Sequence, residues 1–495
     1  MTIFSALSHR ILGRSRTRAV LRPLPARPER MVVIDPAKIF SPDPALIELA
    51  TSFKEGDEAN IRRPKLGDRI FYREIPYSKY QGVLQFHPGR IGGYITSSRL
   101  SKNLSVAARN LLDCAVELPN GGLAFYYPKT STARLQVNEP IYSGIAQGAI
   151  LAAYTRLIRD RVPQDGAHSW HEIAERVALS MMLPFEEGGV CVDGNVILEA
   201  PNFRACPEII LNGWIDALIR LYDYLQFVPS KTYQEFFDRN IAALCEMLPD
   251  FDDEKAQLSL YSNLCPYAFR AHFRASRAST AAPPRVRVEY IPVRSGHAGY
   301  VIPALWVPGP ELRDCIYENK IGKTSSAAMD MTLSVCSLYD IVITIDADCT
   351  HLSFDPGTYN ETSTVPRRTL QTRALGPAAA YDGQSTAFVV RAAEDRLMTG
   401  CPTNFHKNGE NFYHGFHITA LYEVAMTTRD PAQRKFIAGY ADRWLDYIKS
   451  PTHDHLIGRA RFTAPDGFVK KISRFRAVPQ NRSFDELRAM ANAPE

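Results

Sequence analysis

The residues best placed to do chemistry lie in LEAPNFRACPEIILNGWIDALIRLYDY, residues 198–224. Glu199 and Pro201 sit in a short polar loop, and Asn212-Gly213 then opens a run that is apolar on nearly all sides. Ile210, Trp214, Ala217, Leu221 and Tyr224 fall at helical spacing, as do Leu211, Ile215, Leu218 and Tyr222. So wide an apolar stripe belongs to a helix covered by other helices. A carboxylate held just before such a helix stands at the mouth of a helical bundle, where a substrate can reach it. The competing reading is an acid that complements the helix dipole. His414 and His417, three apart at a helix start, have the spacing of a metal pair, but no third ligand lies nearby and no metal is expected. Asp346, Asp348 and Asp355 cluster at a strand end, where they are either calcium ligands or, more commonly, turn formers.

Several elements must position these groups. Helical periodicity runs over 106–117, 142–161, 171–183, 211–224 and 231–247. The helices are joined by short loops such as Asn120-Gly121-Gly122 and Gly188-Gly189, with no strands between them. That pattern predicts a helical bundle or an α/α toroid. After the linker SRASTAAPPR the texture changes. VRVEYIPVR, YVIPALWVP, MTLSVCSLY, IVITIDADC and STAFVVRAA are short β-rich runs, as in a β-sandwich. Tyr290, Tyr300 and Trp306 within them form either a sugar-stacking strip or core packing. Helices resume over 415–427 and 431–449.

The expected fold class is therefore a multidomain α+β protein, in which an α/α toroid-like helical domain is interrupted by an inserted β-sandwich-like module. The expected organisation is a basic tail and linker over 1–60 and a short mixed segment over 61–104, with strand-like pieces at 69–75 and 93–96. The helical domain follows over 105–275, the β-rich module over 276–402, the last helices over 403–464 and a C-terminal tail over 465–495.

Composition is that of an ordinary globular chain: 495 residues, 45% hydrophobic, 22% charged, net charge +5. The length calls for two or three domains. The mild positive charge favours an anionic partner, and nothing points to nucleic acid. The nine cysteines form no CxxC pair and fit no zinc spacing, so buried free thiols in a reducing compartment, and a cytoplasmic location, are expected. No apolar run reaches the ~18 residues of a membrane span. Seven arginines, Arg10, Arg14, Arg16, Arg18, Arg22, Arg27 and Arg30, crowd the first thirty residues against one acid, Glu29. They suit a solvated basic tail, a targeting segment or an anion-binding arm.

Five segments, in order, resemble the heparan sulfate D-glucuronyl C5-epimerase family. Tyr142-Ser143-Gly144-Ile145-Ala146-Gln147-Gly148 is similar to its YSxxAQGQ segment. Glu199-Ala200-Pro201, Leu211-Asn212-Gly213-Trp214 and Leu221-Tyr222-Asp223 are similar to EYP…VLNGF…GLYD. Leu248-Pro249-Asp250-Phe251-Asp252 with Tyr261 resembles LPxYD…YDL. Phe412-Tyr413-His414-Gly415-Phe416-His417 resembles DYHxxH, and Trp444-Leu445-Asp446-Tyr447 resembles the terminal RWxxY helix. These segments cover the family's helical catalytic domain. The chain departs in two ways: its β-rich block lies inside the helical domain rather than before it, and the tyrosine that follows the glutamate is Ala200 here.

The resemblance implies a D-glucuronyl C5-epimerase-like isomerase, acting without a cofactor on an acidic polysaccharide; a homodimer is the expected assembly. Inversion at carbon 5 removes a proton α to a carboxylate and returns one to the opposite face, with the carboxylate's charge neutralised. A glutamate and a tyrosine serve once their environment tunes them. Glu199 is the expected base. Tyr413 and Tyr261 match the family's site tyrosines. Tyr142, Gln147 and Asn212 are expected to bind sugar, and Arg204, His414 and His417 the uronate carboxylate. The alternatives are a polysaccharide lyase, which shares the proton abstraction and then expels the oxygen on carbon 4, and a non-catalytic glycan-binding or assembly protein.

Overall fold

A computed structural model describes residues 22–493, apart from 36, 64–68, 81–82, 99–101, 129, 132–135, 138–139, 165, 202, 204–205, 255–256, 276–284, 304–324, 337, 356–372, 378–384, 392–411 and 450–482. The chain is a mixed α+β protein built around helix Leu211–Leu225. Every residue of that helix from Leu211 to Leu221 is buried, as its all-round apolar pattern requires. Helix Gly144–Arg159 packs on it, as do Lys231–Met247 and, from the far end of the sequence, Phe412–Thr427. Trp214 donates its indole N–H to Asn240 Oδ1 across 2.9 Å, so the largest side chain of the central helix is buried without an orphaned donor. Helix Phe412–Thr427 in turn packs on Pro431–Lys449, so the C-terminal helices share a core with those of 144–247.

Among the described residues, Ile61–Arg62, Arg69–Tyr72, Ile75–Tyr80 and Val83–Gln85 form a four-stranded sheet before the helices, and two further sheets of five and four strands draw mainly on the later β-rich runs. The first runs Met31–Val33, Gly299–Pro303, Val286–Pro292, Tyr339–Ile345 and Thr386–Val390, antiparallel except for its first pair. The second runs Ser325–Cys336, Leu264–Ala275, Cys349–Asp355 and Arg373–Leu375. Strand alternation sends Val288, Tyr290, Ile341 and Ile343 into the main core and leaves Ile291, Val342 and Val389 in a small cluster on the other face.

The structure departs from the sequence pattern in several places. Residues 93–96, expected as strand, lie in helix Pro88–Ser97. His87 caps it, Pro88 fits its first turn, and Ile91 and Ile95, four apart, are fully buried. The helix expected over 106–117 is Lys102–Leu112, followed by strand Ala115–Glu117 paired with Leu123–Phe125. Leu264–Ala275, inside the expected helical stretch, is a twelve-residue strand held by ladders on both sides.

The two ends also carry structure. Helix Phe484–Ala491 lies within the expected C-terminal tail; a capping box at Ser483 and Glu486 starts it, and Phe484 and Leu487 enter the core. The N-terminal arm is laid along the five-stranded sheet from residue 22. Arg22 donates to Val389 O, Arg391 donates to Pro23 O, and Arg27 and Arg287 each place an Nη2 2.9 Å from Glu289 Oε1. Met31–Val33 then becomes its edge strand. Arg10, Arg14, Arg16 and Arg18 lie outside the described residues.

Candidate active site

Glu199 is delivered by a hairpin. Cys191–Val192 pairs with Val196–Ile197 across a turn in which Asp193 and Gly194 both take positive φ, 50° and 70°, the geometry that closes tight hairpins. Leu198 then donates its N–H to Val190 O at 2.7 Å and accepts the Gly144 N–H at 3.1 Å. A Cβ at residue 144 would lie 2.4 Å from Leu198 O, so the glycine of the Tyr142-Ser143-Gly144 segment is what lets helix Gly144–Arg159 start against this loop. The backbone on the N-terminal side of Glu199 is therefore clamped.

The carboxylate is held on both oxygens. Asn212 Nδ2 donates to Oε2 at 3.2 Å, and the Tyr261 hydroxyl reaches Oε1 at 3.4 Å. Two donors suit the ionised, acceptor-only form of a carboxylate. Gly213 makes the approach possible: a Cβ there would stand 2.4 Å from both Cβ and Oε2 of Glu199. Asn212 Oδ1 is buried with no hydrogen-bond partner among the described residues. Tyr261 is set by a short zipper in which Leu211 N–H donates to Tyr261 O, Ile209 N–H to Asn263 Oδ1, and Asn263 N–H to Ile209 O. Its ring meets that of Tyr413 edge-on, with centroids 4.5 Å apart. Glu199, Asn212, Tyr261 and Tyr413 are thus brought together from three segments far apart in sequence.

Two residues that the sequence reading missed border this cluster. Burial, then the negative charge of Glu199, pushes the Tyr127 phenol well above its ordinary value, so it is held protonated. The Tyr127 hydroxyl lies 3.5 Å from His87 Nδ1, and the two rings meet edge-on at 4.9 Å. Burial, assisted by the Arg90 charge, pulls the His87 imidazole down to about 4, so it is neutral near pH 7. His87 had a visible signal only as a helix cap before Pro88. Tyr127 had none in the run AFYYPK.

Other expected site residues are engaged elsewhere. The Gln147 amide donates to Leu123 O and Ser180 Oγ and accepts from Phe125 N–H, and the Tyr142 hydroxyl donates to Ser180 O. Both side chains are buried and tie helix Gly144–Arg159 to its neighbours. Arg204 and Trp306 lie outside the described residues, and Tyr290 and Tyr300 are buried in the core. Asp346 accepts the Arg285 N–H and donates its own to Arg285 O, joining two strand ends. Asp355 sits in a strand opposite Ala268. No group of three or more metal-ligating side chains, Asp346 and Asp348 included, occurs among the described residues.

His414 and His417 are fully buried. His414 Nε2 donates to Trp444 O at 3.1 Å, which leaves Nδ1 to accept the Ser259 N–H at 2.9 Å. Ser259 Oγ bridges to His417 Nδ1 at 2.7 Å. This arrangement needs neutral rings, and burial drives the His414 imidazole from 6.5 down to about 4. The folded state therefore binds its proton later than the unfolded state. The stability contributed by neutral His414 is full above pH 6.5 and is lost as the pH falls from there towards 4, by about 3 kcal/mol. The urea midpoint should drop between pH 7 and 4.5, and His414→Asn should flatten the drop. A wild-type midpoint unchanged across that range contradicts this assignment.

No curated protein matches the chain. Residues 119–274 match the family model described as the D-glucuronyl C5-epimerase C-terminus. The match covers less than half of the chain and includes Glu199, Asn212, Gly213 and Tyr261, while Tyr413 lies beyond it. The stretch that builds most of the site is thus similar to the C-terminal domain of the D-glucuronyl C5-epimerases, the family that the sequence motifs point to.

Proposed function

We propose that this chain is a uronosyl C5-epimerase that inverts carbon 5 of uronic acid residues in an acidic polysaccharide. The observation that carries the reading is the Glu199 carboxylate held on one oxygen by Asn212 and on the other by Tyr261, whose ring packs edge-on against Tyr413. Glu199 removes the carbon 5 proton, and the electron pair of that C–H bond moves into the uronate carboxylate as an enediolate. A tyrosine, Tyr413 by the motif it occupies, protonates carbon 5 from the other face and becomes a phenolate. Glu199 then holds one extra proton and Tyr413 one fewer, and exchange with solvent restores both. Asn212 Oδ1, buried and without a hydrogen-bond partner among the described residues, offers an acceptor to a sugar hydroxyl.

The test is incubation of the protein in heavy water with glucuronate-containing polysaccharides. Deuterium should enter at carbon 5 without chain cleavage. Ultraviolet absorbance from an unsaturated uronate, with shortened chains, would instead identify a lyase. Neither signal, in the presence of binding, would identify a glycan-binding protein.

A further inference from the structure

We infer that the N-terminal arm and the five-stranded sheet clamp the hairpin that delivers Glu199, and that Arg30 and Asp193 are the positioning pair of this clamp. Its effect on catalysis rests on the function proposed above.

Asp193 occupies the turn of the hairpin between Cys191–Val192 and Val196–Ile197, and its carboxylate is gripped on both oxygens. Arg30 Nη1 lies 3.2 Å from Oδ1, and the Ala298 N–H donates to Oδ2 at 3.4 Å. The two grips form one unit. Arg30 O accepts the Gly299 N–H at 2.9 Å, and Met31–Val33 continues from there as the edge strand beside Gly299–Pro303. The arm and the sheet also hold the segment that leads into the hairpin. Arg30 pairs with Glu186, the Phe40 N–H donates to Glu187 O at 3.1 Å, and the Tyr300 ring meets that of Phe185 edge-on. Helix Lys231–Met247 adds a bond from Arg239 Nε to Gly194 O at 3.3 Å.

An aspartate at this turn carries two costs. Its φ of 50° is a left-handed conformation that glycine adopts more readily. Burial pushes its carboxyl above the ordinary value, and the Ala298 N–H and the Arg30 and His297 charges pull it back. A glycine would close the turn without either cost and would give the arm nothing to hold. The path from this turn to the base is short and stiff. Val196–Ile197 pairs back on Cys191–Val192, and the Leu198 N–H donates to Val190 O at 2.7 Å. Gly144 holds Leu198 O from the helical side, while the clamp holds the far end of the hairpin from the sheet side. A hairpin tilted at its turn carries Glu199 away from Asn212 and Tyr261, and a shift of about 1 Å is enough to slow a reaction. The β-rich part of the chain thus enters catalysis through the support of the base.

The experiment makes two measurements on the full chain. One is amide hydrogen exchange over residues 190–199 without substrate. The other is kcat and KM for deuterium incorporation at carbon 5 of a glucuronate–N-acetylglucosamine polysaccharide. Arg30→Gln should speed amide exchange over 190–199 roughly 10-fold, while helices Gly144–Arg159 and Leu211–Leu225 keep their wild-type protection. It should lower kcat roughly 3- to 30-fold with KM unchanged. Arg30→Lys should restore part of both. Asp193→Asn approaches the pair from the other side, because asparagine tolerates the left-handed turn and lacks the charge. It should match Arg30→Gln, and the double variant should lose no more than the stronger single. Hairpin protection unchanged in both singles, losses that multiply in the double variant, or protection lost throughout the helices overturns the clamp. The two readings fail separately. A hairpin loosened by Arg30→Gln, in a protein whose wild type incorporates no deuterium, keeps the clamp and removes the epimerase. Wild-type kcat in Arg30→Gln removes the positioning pair and keeps the epimerase.

Discussion

Glu199→Gln will lower deuterium incorporation at carbon 5 by about 10²- to 10⁴-fold while the protein keeps its thermal midpoint. The glutamine fills the same volume, so packing around the loop is undisturbed. It cannot take a proton. One contact changes sign: if the amide nitrogen turns towards Asn212, two donors meet where a donor met an acceptor. The side chain will therefore settle with its nitrogen away from Asn212 or lose that single bond, at a cost of about 1 kcal/mol. Binding of polymer should change by no more than that. A variant that binds normally and exchanges at the wild-type rate removes Glu199 as the base. A variant that has lost its cooperative melting says nothing of catalysis, so the melting curve is measured first.

Three of the core helices were legible because an apolar surface turned to the core leaves a plain periodic trace. Leu211–Leu225, Lys231–Met247 and Pro431–Lys449 follow the apolar period closely, and the structure places them where that period does. Helix Pro88–Ser97 was not legible. Its sequence, PGRIGGYITS, carries three glycines and β-branched residues, so propensity argues for strand and loop. The contact of Ile91 and Ile95 with the core overrides it. Leu264–Ala275 was hidden for the opposite reason. LCPYAFRAHFRA contains a proline and shows no clean alternation, and it becomes a strand because two neighbours pair with it.

The site divides along the same line. Glu199, Asn212, Gly213, Tyr261 and Tyr413 belong to short motifs whose spacing is tied to local geometry: the amide that holds the carboxylate and the glycine that clears room for it are neighbours in sequence. Tyr127 and His87 reach the same place through tertiary contact alone, from segments forty residues apart. The buried histidines were ambiguous in sequence because a histidine pair three apart on a helix looks the same whether it faces a ligand or Ser259. Only the hydrogen bonds distinguish the two.

Gly213→Ala will lower carbon 5 exchange by about 10²-fold or more, although local propensity argues that the change should help. Alanine favours a helix over glycine by about 1 kcal/mol, and residue 213 lies in the first turn of the central helix. Against this stands the new methyl, 2.4 Å from Glu199 Cβ and Oε2 and 2.7 Å from Cγ. Rotating the glutamate side chain relieves the oxygen and not the Cβ, which moves only with the backbone. That backbone is pinned at Leu198 on both its N–H and its carbonyl. Relief therefore requires the loop and the helix to separate by about 1 Å, a displacement that is enough to take a catalytic group out of reach. Overpacking should cost about 1–3 kcal/mol of stability, most of it visible as a lower urea midpoint with unchanged helix content. The decisive comparison is the double variant. Because Gly213 acts only by placing Glu199, Gly213→Ala in the Glu199→Gln background should slow exchange no further than Glu199→Gln alone. Losses that multiply would mean that the glycine serves some other group, and that the carboxylate beside it is not what removes the proton.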